Sequence, residues 1–422
     1  MRGSGHGELG LEPGMLHALR IAWRNLSRNR RRTVITVTAV LLNTAVLIAT
    51  DALMTGLTAQ TIRNATEMVV GEAQIHAAGY RAERSMYQAI PDPAALLARA
   101  HAHGIGAAPR TFGFGLLSAG AKSAGASFWG VDPAAERAAF DLPRHVATGR
   151  FLADAPAAEV VIGRKLARSL EAGVGSELVA VVQAADGSLG NELYKVVGIL
   201  QTVGDDIDRG AVFMHRAELD RLFAAGGRVH EIALDSRGAI APGAIVHLYA
   251  DLPPRGLEVV TWRQLLPAIS DMQNLSGATT LLFGLVFLLA AGLGVLNTML
   301  MATHDRVREY GLVKALGASR LRIFRDVLAE AALLSLVANA LGVALGVAGS
   351  FFMQKVGIDL SALGGGDITF SGIAFDPIWR GMLRARAVVE AVVATTAACL
   401  LASLYPAIKA ARLDPARAMT QV

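Results

Sequence analysis

Four long apolar stretches, and the gap between the first and the other three, constrain this chain more than any other feature. One covers Val34–Met54; the others, Leu275–Ala302, Ala331–Phe352 and Ala387–Tyr405, crowd into the last third. About 20 apolar residues in a helix rising ~1.5 Å per residue cross a hydrocarbon core of roughly 30 Å. A composition of 53% hydrophobic residues with a mean hydropathy of +0.42 is too apolar for an ordinary soluble protein and too polar for an all-helical channel. The expected fold class is therefore an α-helical membrane protein with four transmembrane helices and a large α/β extracytoplasmic domain inserted between helices 1 and 2. The lone cysteine, Cys399, falls in the fourth span, so that domain must be stable without a disulfide.

Lysine and arginine close to the span ends set the orientation. Arg20, Arg24, Arg28, Arg30, Arg31 and Arg32 precede the first span, Arg306, Arg308, Lys314, Arg320, Arg322 and Arg325 lie between the second and third, and Lys409, Arg412 and Arg417 follow the fourth. All three segments are expected in the cytoplasm, which puts both termini inside. The 58–273 segment, with 20 basic against 23 acidic residues, is then outside. Arg380, Arg384 and Arg386 fall on the outer side and run against the rule. The basic excess reads as topology and phospholipid contact, and with only 6% aromatic residues nothing favours a nucleic-acid partner.

The boundaries that follow are a leader and amphipathic helix over 1–32, spans over 33–57, 273–303, 326–354 and 387–408, an outer domain over 58–272, a cytoplasmic coupling helix over 304–325, an outer loop over 355–386 and a cytoplasmic tail over 409–422. The first span is too long for a cleaved signal and reads as an anchor. From Met15, apolar residues alternate with arginines at helical spacing, with Trp23 placed as an interfacial anchor. Gly342-x-x-x-Gly346 in the third span and Asn297 in the second are expected to pack helices, as are Asn43 and Asn339 by hydrogen bonding between spans. Asp51, Glu330 and Glu390 read as local polar contacts near span ends. Neither end of the outer domain shows a breaker, so span one can continue to about residue 68 and span two can begin near Pro267. Both would outrun the bilayer as stalks able to carry movement outward.

Within the outer domain, Val69–His76, Thr111–Leu117, Val229–Leu234 and Glu258–Thr261 read as strands, and its first and last portions are expected to pair into one subdomain. Between them lies a β-rich insert, about 116–222, in which Asp186-Gly187 joins strands Glu177–Gln183 and Glu192–Leu200 as a hairpin. No chemistry emerges. The chain has no Gly-x-x-x-x-Gly-Lys-Ser/Thr loop, no Gly-x-Ser-x-Gly elbow and no His-Glu-x-x-His. Asp205, Asp206 and Asp208 lack the glycine and the later glutamate of a calcium loop and read as a solvated turn. No catalytic residue, cofactor or metal is expected.

The loop between spans two and three is more specific. Val307, Tyr310, Val313 and Leu316 form one apolar face of a short helix that Gly317 can stop, and Ser319 can cap the next. Such a helix suits docking into a partner's groove.

This loop, Glu309-Tyr-Gly-Leu-Val-Lys-Ala-Leu-Gly-Ala-Ser319 followed by Phe324 and Glu330-Ala331, is similar to the signature of the FtsX/MacB-like ABC transporter permeases. So are Tyr405-Pro-Ala-Ile-Lys-Ala-Ala-Arg-Leu-Asp-Pro-Ala-Arg-Ala418 and the opening Ala22-Trp-Arg-Asn-Leu. Gln74-Ile-His-x-x-Gly-Tyr80 and Trp262-Arg-Gln-Leu-Leu-Pro267 make the chain resemble most the lipoprotein-releasing LolC/LolE-type subunits, although the short Ala184–Asn191 turn lacks the long hook that recruits a chaperone there. The resemblance implies a bacterial inner-membrane permease that works as a dimer, with a second copy or a related permease, on a separate cytoplasmic ABC ATPase subunit. That subunit would grip residues 304–324, with Val307, Glu309, Tyr310, Gly311, Leu312, Val313, Lys314, Leu316, Gly317 and Ser319 as coupling residues. The implied work is moving lipoproteins or similar amphiphiles from the outer leaflet toward a periplasmic carrier. Efflux of drugs or peptides, or switching of a cell-wall hydrolase without transport, are the alternatives.

Overall fold

The computed structural model describes residues 30–250, 256–359, 369–370, 373–374 and 378–414. The amphipathic segment from Met15 with Trp23 lies outside the described residues, as does the tail beyond residue 414. The chain divides into two compact units, one of residues 1–58, 275–358 and 378–422, the other of residues 59–274 and 359–377.

Among the described residues four helices are long and apolar enough to cross a membrane: α1 (Arg30–Ala65), α2 (Pro267–Asp305), α4 (Arg320–Lys355) and α5 (Ala385–Ala411), with the short α3 (Val307–Ala315) between α2 and α4. α1 has 36 residues and α2 has 39, well beyond their apolar runs, because the flanking residues contain no proline after the first turn. At ~1.5 Å per residue each is over 50 Å long, against a hydrocarbon core of roughly 30 Å.

In the first unit the helices meet through small and apolar side chains, among them Val40, Val295, Met299, Val327, Ala338 and Cys399. Gly342 and Gly346 lie against α1, where an added Cβ at Gly342 would stand 2.8 Å from the Leu41 carbonyl oxygen and from Thr44 Cβ. Asn339 bridges three helices, accepting from Thr44 Oγ1 at 2.7 Å and donating to Thr396 Oγ1 at 2.9 Å. Asn43 is buried as well, but its Nδ2 finds no partner among the described residues. Asn297 departs from expectation: it is exposed, and its neighbour Thr298, turned about 100° further round the helix, makes the contact with α1 through Thr36 Oγ1 at 2.8 Å. Two of the arginines that ran against the charge rule have carboxylate partners, Arg384 with Asp51 and Arg386 with Glu390, both at 2.7 Å.

Gly342→Ala is accordingly expected to weaken the α1–α4 contact by about 1–3 kcal/mol, the usual effect of overpacking. Gly349→Ala, where nothing lies within 4 Å, should be nearly silent. Unfolding titrations in mixed detergent compare the two; equal midpoints would show that the helices do not need this close approach.

The second unit is an α/β domain. Among the described residues its main sheet has ten strands, β1 (Ala73–Ala77), β2 (Gly106–Ala119), β3 (Lys122–Val131), β4 (Val146–Gly149), β5 (Glu159–Ile162), β6 (Glu177–Gln183), β7 (Leu189–Leu200), β8 (Ala211–His215), β9 (Glu231–Asp235) and β10 (Leu257–Thr261). The first and last segments pair as expected, in the order β10-β1-β9-β2 with every pair antiparallel. Helices Pro93–Ala102 and Pro242–Leu248 supply the crossovers of a split βαβ arrangement and close over a core of Ile75, Leu96, Ile232 and Ile245.

β2 then runs on into the insert. There β2, β3, β8, β5, β7 and β6 each pair with the next, and β6 returns to β2 through Gly115↔Val182 and Leu117↔Ala180. The ring closes into a small barrel filled by Leu117, Phe128, Val160, Tyr194 and Val212, and closure leaves these strands without open edges. The β6–β7 hairpin turns where expected: Asp186 accepts from the backbone N–H of Ser188 and Gly187 sits at φ 85°.

Two local expectations fail. Thr66–Val70 forms a π-helical turn and the strand starts only at Ala73, because the carbonyls of Val69 and Val70 are taken by side chains, Arg110 at 2.6 Å and Gln74 at 2.7 Å. Asp205–Gly210 is a short helix where a turn was expected, its carboxylates in the first turn complementing the exposed N–H groups there.

Candidate functional site

α3 is held at both ends. Arg306, just before it, makes a two-toothed ion pair with Glu330 of α4, Nη1 to Oε2 at 2.8 Å and Nη2 to Oε1 at 3.3 Å, with both side chains less than a tenth exposed. Toward its other end, Lys314 Nζ donates to the carbonyls of Ala411 and Leu413 at 3.0 and 2.5 Å, where the terminal carbonyls of α5 favour a cation. The helix stops in a Schellman turn: Gly317 N–H donates to the Lys314 carbonyl, Ala318 N–H to that of Val313, and Gly317 adopts φ 93°. Ser319 Oγ then accepts from Arg322 N–H and starts α4.

This clamping divides the apolar face expected from the sequence. Tyr310 packs inward against the helix core and Val307 is half-buried, while Gly311 is buried. Burial and the nearby Glu330 push the Tyr310 phenol up to about 12, against the lowering effect of Arg306. Leu312, Val313 and Leu316 face outward, Leu316 at 80% exposure, with Glu309 exposed beside them. The outward set is thus Leu312, Val313 and Leu316, and Tyr310 belongs to the support. The two buried anchors, Arg306 and Glu330, gave a readable signal as charges flanking or inside apolar runs, but only the fold pairs them.

In the α/β domain one residue ties the parts together. Arg110, on β2 where it passes from the four-stranded sheet to the barrel, is 1% exposed. It grips Glu136 with two bonds, Nε to Oε1 at 2.6 Å and Nη2 to Oε2 at 3.0 Å, reaches Glu231 on β9 with Nη1 at 2.9 Å, and caps the Val69 carbonyl at 2.6 Å. Burial works against its charge, but Glu136 and Glu231 more than offset that and raise its pKa. Another buried carboxyl, Asp235, is pushed up to about 7 by burial and by Glu72. Among the described residues no group of side chains could hold a metal ion.

Comparison with known proteins fits this architecture. Residues 33–246 match the family described as MacB-like periplasmic core domain, and residues 281–415 that described as FtsX-like permease C-terminal. The chain is 27% identical over 426 residues to the Pyoverdine export ATP-binding/permease protein PvdT of Pseudomonas entomophila (strain L48), covering 96% of this chain and 60% of that protein. Over 140 residues it is 33% identical to the Macrolide export ATP-binding/permease protein MacB of Shigella boydii serotype 4 (strain Sb227), covering 33% of this chain and 19% of the other. The solved periplasmic region of MacB from Actinobacillus actinomycetemcomitans aligns at 16% identity and a TM-score of 0.38, over 50% of this chain and 97% of that one. The chain spans about 60% of the length of the first of these relatives. One family match covers half the chain and the other nearly a third, in the order that the structure shows as a helix, an α/β domain and a helical unit: the chain is a multi-pass membrane protein belonging to the MacB/FtsX-type ABC transporter permeases.

Proposed function

We propose that this chain is the membrane subunit of a mechanotransmission-type transporter in the bacterial inner membrane, with both termini cytoplasmic. In this reading, ATP hydrolysis by a separate ATPase subunit is coupled to extraction of lipoproteins or similar amphiphiles from the outer leaflet, as in LolC/LolE-type subunits. The carrying observation is α3: a short helix fixed by Arg306–Glu330 and Lys314 that leaves Leu312, Val313 and Leu316 exposed on its outward side. The arginines around it favour the cytoplasmic side for α3 in this reading. A second permease fits the open face of α2, where Asn297 stands exposed at membrane depth and a polar partner from another chain would satisfy it.

Efflux of small amphiphilic molecules is the second reading, favoured by the export functions named for PvdT and MacB. Both readings share the docking step. Leu316→Asp and Val313→Asp are expected to abolish co-purification of the ATPase subunit, while Leu189→Asp, at an equally exposed leucine of the β6–β7 hairpin, leaves it intact. Undiminished co-purification with both α3 variants would remove the docking assignment. Proteoliposomes given ATP and either a fluorescent triacylated lipopeptide or a macrolide separate extraction from efflux.

A further inference from the structure

The α/β domain contains a cleft of about 540 Å³ that no role described so far uses. Its floor is the outer face of the β2–β3 ladder, where alternation should bring polar side chains to water. Here it brings Phe112 and Phe114 from β2 and Trp129 from β3. Phe112 and Trp129 meet edge to face at 4.8 Å and are half-buried, whereas Phe114 and, next along the same face, Leu116 are each 52% exposed. Opposite Leu116 in the ladder stands Gly125, with open space above it. The result is an apolar track about 13 Å long that leaves the cleft along β2. Continuous exposed apolar surface of this kind marks a ligand or partner site.

The cleft wall adds charge. Arg81 and Arg84 line it, on and just after the short helix Tyr80–Glu83. Arg84 has no carboxylate partner among the described residues, and it sits at φ 48°, a left-handed conformation that costs a non-glycine residue about 1 kcal/mol or more. Arg81 approaches the Glu258 carboxylate only to 4.0 Å and donates one bond to the Gln264 carbonyl, so its fork keeps free donors. The cleft's buried carboxylate, Glu231, is paired with Arg110, which it shares with Glu136, and its other one, Asp206, is exposed to water.

The geometry points to a binding site for an anionic amphiphile, its apolar chain or ring laid on Phe112, Trp129, Phe114 and Leu116 and its negative head held by Arg81 and Arg84. This names a substrate class for the transport reading above, and rests on that reading for its place in a cycle.

The test uses the full chain in phosphatidylcholine nanodiscs without any ATPase, exposed to a diazirine-bearing palmitate and to the amine of equal length. After irradiation, mass spectrometry is expected to place palmitate adducts within residues 112–116 or 127–129. The double variant Arg81→Gln/Arg84→Gln should lower that yield about tenfold with its unfolding midpoint unchanged, and the amine should label weakly in both proteins. Equal labelling by acid and amine, adducts confined to the membrane helices, or an unchanged yield in the double variant would overturn the site. Failure of the ATPase-docking reading leaves this labelling as it is, and failure of the labelling leaves ATPase co-purification as it is.

Discussion

Replacing Arg110 with methionine is expected to destabilise the α/β domain by about 3–5 kcal/mol, the usual effect of stranding a buried charge without its partner. Methionine fills much of the same space, so the loss would not come from a cavity. It comes from leaving Glu136, wholly buried, and Glu231, 8% exposed, next to each other without a cation. It also strips the donor from the Val69 carbonyl at the π-helical turn that follows α1. Arg110→Lys restores the charge but cannot reproduce the two parallel bonds to Glu136, so it should fall between. Adding Glu136→Gln and Glu231→Gln to Arg110→Met should recover a large part of the loss, since the cost lies in unpaired charge rather than in the absence of an ion pair. Denaturant titration followed by the fluorescence of Trp129 and Trp262 measures all four proteins. An Arg110→Met variant within 1 kcal/mol of the parent would mean that water reaches this cluster.

How much of this was legible in the sequence depended on how local each signal was. The membrane helices could be read because a run such as Leu275–Ala302 needs no knowledge of its neighbours. The α/β character and the Asp186-Gly187 hairpin were legible for the same reason. Closure of the barrel was not, since it rests on β6 meeting β2 more than sixty residues away in the chain, through positions such as Leu117 and Ala180 that carry no mark of their partner. The π-helical turn at Thr66–Val70 was hidden because Val69 and Val70 look like strand, and the competing bonds come from distant Arg110 and nearby Gln74. Periodicity found the α3 helix and its glycine stop. It could not tell Tyr310 from Leu316, which the recurrence of apolar residues at every third position puts in one stripe and which only the packing of Tyr310 on the helix core tells apart. Asn297 shows the same limit: polarity at membrane depth predicts a contact, but the chain supplies it through Thr298.

The second large effect is expected at the support of α3. Glu330→Leu removes the counter-charge of Arg306, whose side chain is 9% exposed and whose two bonds end on the lost carboxylate. A guanidinium cannot shed its proton to escape, because it keeps its charge at any ordinary pH. It must either remain unpaired, at about 3–5 kcal/mol, or swing out to water and pull the N-terminal end of α3 with it. The second course is cheaper, since Arg306 is at the end of a helix and not in the middle of one. Lys314 would still hold the other end on the Ala411 and Leu413 carbonyls, so α3 would pivot there and turn Leu312 and Val313 away from their original direction. A spin label on Leu312→Cys reads this directly in a Cys399→Ser background, since Cys399 is the chain's one native thiol. Glu330→Leu is expected to sharpen the label's spectrum and to reduce ATPase co-purification at least tenfold without removing any outward-facing residue. Arg306→Met/Glu330→Leu, which buries two apolar side chains where the pair stood, should restore the spectrum of the labelled parent. If Glu330→Leu alone leaves both readouts unchanged, the orientation of α3 is set by Lys314 and the packing of Tyr310, and the ion pair is only a tolerated charge.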